Sequence, residues 1–170
     1  MQNIVIIGAS SGIGQALAQR QAAAGNAVYG TYNRHDTHAN INFTAFKQVN
    51  VLDETPDLGF LPDVVDGLVY CPGSVNLKPF ARIKPDDFMA DYQLQVVGAV
   101  KILQACLPKL KNAAAPSVVL FSTIAVQTGF NFHTLVSASK GAVEGLTRAL
   151  AAELAPRVRV NCIAPSITDT

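Results

Sequence analysis

Near the start of the chain, Gly8-Ala9-Ser10-Ser11-Gly12-Ile13-Gly14 has the residue types and spacing of a backbone cradle for an anion. Gly8 permits a tight turn at the end of an apolar run. Gly12 removes a side chain where a diphosphate must approach the main chain, and Gly14 lets a following helix close against the strand. Free N–H groups and the positive end of the helix dipole would then face the phosphates. Glycines also serve ordinary turns, so the placement carries the argument: Ile4-Val5-Ile6-Ile7 precedes the segment and a helical stretch follows it. A phosphate loop of the nucleoside-triphosphatase type needs Lys and then Ser or Thr after the last glycine. Here Gln15-Ala16 stands there instead.

Such a turn must be held by a sheet and its helices. Short runs rich in Val and Ile alternate with helical stretches, the pattern of a parallel sheet with crossover helices. Strands are expected at about 4–7, 27–32, 45–49, 67–71, 117–122 and 158–163, apolar nearly throughout as in strands covered on both faces. A first helix is predicted over 12–24, with Gly25 as its left-handed stop. Pro85-Asp86-Asp87 opens a second, because proline is tolerated in the first turn and carboxylates suit the positive dipole end; it should run to Leu107, ahead of Pro108. A third is expected over 135–154, striped by Val143, Leu146, Leu150 and Leu154. The polar stretch 35–42 and the proline-bearing stretch 53–62 predict loops or single turns. The whole, residues 1–170, is expected to form one α/β domain with a doubly wound, Rossmann-type sheet in the order 3-2-1-4-5-6.

Composition narrows the function classes. A chain of 170 residues, 49% hydrophobic and 15% charged, is long and apolar enough to bury a core. A net charge of +1 with no block of like charges gives no electrostatic case for nucleic acid or an anionic membrane. Cys71, Cys106 and Cys162 are too scattered for a disulfide framework or a zinc site, so no metal is expected, and a reducing, cytoplasmic setting is the expected home. Met1-Gln2-Asn3 is not a basic leader, and no run reaches the length of a membrane span.

Several further blocks stand in a recognisable order. They are Asn50-Val51-Leu52-Asp53, Tyr70-Cys71-Pro72-Gly73, Ser139-Lys140-Gly141-Ala142-Val143 and Arg159-Val160-Asn161-Cys162-Ile163-Ala164-Pro165. With the Gly-x-x-x-Gly-x-Gly spacing of the first turn, the chain resembles the short-chain dehydrogenase/reductase family over nearly its whole length. The resemblance implies a nicotinamide dinucleotide bound by Gly8, Ser10, Ser11, Gly12, Ile13, Gly14, Asn33, Arg34, Asn50, Val51, Cys71, Pro72, Gly73, Lys140, Pro165, Ile167 and Thr170. It also implies hydride transfer to or from a small carbonyl or alcohol substrate. The departures lie in the catalytic set. Lys140 matches the lysine of the family's Tyr-x-x-x-Lys pair, but Val136 holds the tyrosine position, Thr123 the serine position and Gln95 that of the helix-borne asparagine.

Tyrosine and lysine four apart share one helix face, and the ammonium eases the phenol's proton exchange. Val136 has no proton to give. Lys140 keeps its expected role toward the nicotinamide ribose, and Thr123 can bond a carbonyl oxygen or be an ordinary strand-end threonine. His133 is a candidate replacement acid, against the plain alternative of a solvated loop histidine. The altered set keeps open a second reading: a catalytically silent dinucleotide-binding sensor or partner subunit.

An NAD-selective site usually carries an acidic residue at the end of the second strand. Tyr32-Asn33-Arg34 offers none before Asp36, and Arg34 could meet a 2′-phosphate, so NADP(H) is expected over NAD(H). The resemblance further implies a homodimer or homotetramer through the helices of 85–107 and 135–154. It also implies a substrate-covering segment and a final strand beyond the sixth, which this chain, ending at Thr170, is expected to lack.

Overall fold

The computed structural model describes residues 1–37 and 40–168. Six strands, β1 (Asn3–Ile7), β2 (Ala27–Tyr32), β3 (Ala45–Gln48), β4 (Gly67–Tyr70), β5 (Ser117–Phe121) and β6 (Arg159–Ile163), form one sheet in the order β3-β2-β1-β4-β5-β6. Every pairing is parallel; in β1, Ile4 sits opposite Val28 of β2 on one side and Gly67 of β4 on the other. The expected doubly wound order is thus present.

Alternation along β1 divides the core in two, because successive side chains leave opposite faces of a strand. Val5 and Ile7 join Leu68, Tyr70, Val118 and Leu120 on one face. Ile4 and Ile6 join Val28, Val69 and Ala18 on the other. The first face is covered by α3 (Gly98–Lys111), through Ile102, Cys106 and Leu110, and by α5 (Thr134–Leu154), through Val143 with Leu146, Leu150 and Leu154 beside it. The second is covered by α1 (Gly12–Ala23), which brings Ala18 and Leu17. Between β3 and β4 no helix forms; buried Leu58, Leu61 and Val65 cap that part of the sheet instead. Among the described residues no helix is long and apolar enough to cross a membrane.

The segment expected as one helix over 85–107 differs in two ways. It consists of α2 (Pro85–Tyr92), a π-helical turn over Gln93–Val97, and α3, and it continues through Pro108 to Lys111. A helix-interior proline forfeits one backbone hydrogen bond and crowds the preceding turn. Tertiary anchors offset that cost here. Leu110 is fully buried, the Lys109 carbonyl accepts from Val65 N–H at 3.1 Å, and Lys109 Nζ donates to the carbonyls of Leu61 and Pro62. A short helix, α4 (Ala125–Thr128), follows β5 ahead of α5.

Candidate functional site

The first glycine turn sits where β1 and β2 end. Gly8 and Gly12 have positive φ, +78° and +54°, backbone that L side chains rarely adopt. Gly14 answers a different constraint: a Cβ there would lie 2.1 Å from the Gly8 carbonyl oxygen. Buried Thr31 fastens the turn to β2, its hydroxyl accepting from Gly8 N–H at 3.0 Å and its carbonyl from Ala9 N–H at 2.7 Å. The α1 N-terminus then opens with no side-chain cap from Ser11 and no acidic residue in its first turn. Its leading N–H groups therefore face the cleft, as an anion requires.

That cleft, about 700 Å³, gathers Gly8, Ser10, Ser11, Gly12, Ile13 and Gly14 with Asn33 and Arg34 from the end of β2. It continues past Val51, Cys71, Pro72 and Gly73 to Gln95, Lys140 and Pro165. Asn50 is not among the lining residues; its side chain donates to Asp53 at 2.7 Å and accepts from Leu52 N–H, closing a surface turn. Thr170 lies outside the described residues. The sequence reading missed Thr31, His35 and Leu94, which also line the cleft. Of these, His35 was the most accessible to reasoning, since it directly follows Asn33 and Arg34.

A second cavity of about 560 Å³ shares Ile13, Val75, Ser122, Lys140 and Pro165 with the first. Here the structure brings together Thr123, His133, Val136 and Ile167. Val136 is 2% exposed and gives this wall an apolar surface. The Thr123 hydroxyl accepts from Ala125 N–H at 3.3 Å, which leaves its proton as the part to offer the cavity. Neighbouring Ser122 has spent its own proton on Glu144 Oε1, at 2.7 Å. His133 Nδ1 stands 2.8 Å from the Asn131 carbonyl oxygen. A carbonyl can only accept, so Nδ1 carries a hydrogen, and Nε2 is the atom that can exchange a proton.

Lys140 joins the two spaces. From α5 it reaches under the end of β5, donating from Nζ to the Phe121 carbonyl at 2.8 Å. Burial pulls its ammonium below the ordinary lysine value, opposed chiefly by the Asp91 carboxylate and then by Cys162 and Cys71. Burial pushes the Cys71 thiol the other way, up to about 12, only partly offset by Lys140, so Cys71 lines the cleft as a neutral group. Gln95, 1% exposed, donates from Nε2 to the Ser74 carbonyl and to both Asp91 oxygens, each at 3.1 Å.

These features fit a nicotinamide dinucleotide: an uncapped helix end for the pyrophosphate, glycines where the backbone must be bare, and a half-buried lysine at the end of β5. The comparisons with known proteins agree. The chain is 30% identical over 181 residues to a short-chain dehydrogenase/reductase of Cladobotryum, covering 98% of this chain and 70% of that protein. It is 28% identical to a 3-oxoacyl-[acyl-carrier-protein] reductase of Aquifex aeolicus, covering 98% and 73%. A solved short-chain dehydrogenase from Streptomyces avermitilis superposes with a TM-score of 0.87 at 28% identity, covering 99% of this chain and 67% of that one. The family model described as short chain dehydrogenase matches residues 2–170. The chain belongs to the short-chain dehydrogenase family, whose members use nicotinamide cofactors.

Proposed function

We propose that this protein is an NADP(H)-dependent oxidoreductase that moves a hydride between the nicotinamide and a small carbonyl or alcohol. One observation supports this reading above the others: Lys140 lines both the dinucleotide cleft and the cavity holding Thr123, His133 and Val136. A cofactor stretched from the glycine turn to Lys140 would end beside that cavity. When bound, the nicotinamide supplies or accepts the hydride. The chain's own residues do the rest. Backbone amides of residues 12–14 hold the pyrophosphate, and Arg34, exposed at the rim, meets a 2′-phosphate. Lys140 orients the ribose, Gln95 shapes the floor beneath it, and Pro165 and Ile167 flank the nicotinamide end. Thr123 donates to the substrate oxygen. In carbonyl reduction that oxygen gains one proton, which His133, when doubly protonated, would give from Nε2 while Nδ1 keeps its bond to the Asn131 carbonyl.

Titration with NADPH and NADH, followed by a panel of small aldehydes and ketones, tests the proposal. NADPH should bind at least tenfold more tightly than NADH and be consumed with a carbonyl present. Binding without turnover at high enzyme concentration would favour the second reading, a silent dinucleotide-binding sensor or partner subunit. The buried apolar Val136 at the tyrosine position supports that alternative. We further propose one domain working in the cytoplasm as a homodimer or homotetramer, since Ala138, Gly145 and Ala149 leave a small-residue face of α5 exposed.

A further inference from the structure

Asp91 is an acidic residue in the interior, on α2, 5% exposed. Its Oδ1 accepts from the Ser74 hydroxyl at 3.1 Å, and both its oxygens accept from Gln95 Nε2. An ionised carboxylate only accepts hydrogen bonds, so it fixes which way the Gln95 amide faces: nitrogen toward Asp91, oxygen away. That oxygen, Oε1, is buried with no hydrogen-bond partner. It converges with the lysine on one glycine, because a Cβ at Gly73 would lie 3.3 Å from Gln95 Oε1 and 3.6 Å from Lys140 Nζ. A carboxylate behind the cleft, an amide oriented by it and an ammonium thus follow one another from α2 to α5, two helices packed on each other, with Gln95 and Lys140 lining the cleft itself.

We propose that Asp91 is a positioning residue, the buried counter-charge that keeps Lys140 cationic and turns the Gln95 carbonyl oxygen toward it. The proposal deepens the reading of Lys140 as the ribose-holding group and rests on it. The need for such a residue follows from the missing phenol. On its own helix Lys140 has the apolar Val136 one turn before it and Glu144 one turn after it; Glu144 is already engaged by the Ser122 hydroxyl at 2.7 Å and by Arg148 at 3.6 Å, while burial disfavours the ammonium's charge. The groups facing Lys140 from other elements are Asp91 on α2, Cys162 on β6 and Cys71 after β4. Of these only Asp91 is a carboxylate, so it supplies the full negative charge. Gln95 carries the effect by geometry, offering an acceptor where a second donor would repel the ammonium.

The decisive measurement is the titration of Lys140 itself, followed by carbon-13 resonances of the lysine side chains in the ligand-free protein and assigned with Lys140→Met. In Asp91→Asn the Lys140 midpoint should fall by about one pH unit, as expected for removing one nearby charge at intermediate dielectric. The pH at which NADPH affinity fades should fall with it, while affinity well below that pH changes less than threefold. Should Asp91→Asn not fold, Asp91→Leu removes the same charge and leaves Gln95 Nε2 its bond to the Ser74 carbonyl. An unmoved Lys140 midpoint in a folded variant overturns the proposal. So does a uniform loss of affinity at every pH, which is what a merely structural role would give. If the wild type binds no nicotinamide nucleotide, the function proposed above fails, while the resonance titration still decides the role of Asp91.

Discussion

Val136 and Lys140 sit one helical turn apart on α5, and the proposed function makes that pair the place to test its rate. General acid–base catalysis is typically worth about 10²- to 10⁴-fold. Val136→Tyr, placed in the same cavity wall, should therefore raise carbonyl reduction at least 100-fold if the remaining site is intact; steady-state kinetics with NADPH measures it. His133→Phe keeps the edge-on packing against Phe130 but removes the exchangeable proton. It should lower kcat at least about 100-fold with NADPH affinity unchanged, and an unaltered kcat would dismiss His133 as the acid. Arg34→Ala should cost NADPH about tenfold in affinity and leave NADH binding alone, since a charge-assisted bond to phosphate is lost. The glycine turn was readable in the sequence from its spacing and placement, and Lys140, Thr123 and Val136 from their match to the family's motif. Asp91 was not. Its burial and its line to Lys140 depend on two helices meeting, and no spacing along the chain reports that.

The π turn over Gln93–Val97 illustrates the same limit one level up. An amphipathic stripe predicts a helix but not an added residue within one of its turns, and such bulges often mark functional sites. Here the turn lets Gln95 and Val96 both enter the interior before α3 resumes its own buried face. Tyr70 steadies it, donating from Oη to the Leu94 carbonyl at 2.6 Å, and Gly98 makes room, since a Cβ there would lie 2.5 Å from that hydroxyl. Tyr70→Phe should lower unfolding free energy by about 1 kcal/mol in urea titrations, and more if Leu94 is left unsatisfied. The sheet order and the lengths of β1 and α5 were legible because buried parallel strands and a long apolar stripe declare themselves. The passage through Pro108 was not, because the hydrogen bonds of Lys109 with the distant 61–65 stretch and the full burial of Leu110 outweigh a local rule.

At the scale of the molecule, α5 presents two faces. Val143, Leu146, Leu150 and Leu154 lie against the sheet, whereas Gly145 has open space beyond its Cα and Ala149 is exposed. Light scattering should give a dimer or tetramer at micromolar concentration, and Ala149→Arg should shift it toward the monomer. A monomeric wild type would remove the association. The bare start of α1 has a thermodynamic corollary. Because the protein supplies no acidic side chain of its own there, a bound polyanion completes the helix and should feed directly into resistance to heat. Saturation at a hundred times Kd corresponds to about 2.7 kcal/mol, so NADPH should lift Tm by several degrees. Inorganic pyrophosphate, touching only that helix end, should manage a smaller rise, and the gap between the two would measure how much of the grip belongs to the rest of the nucleotide.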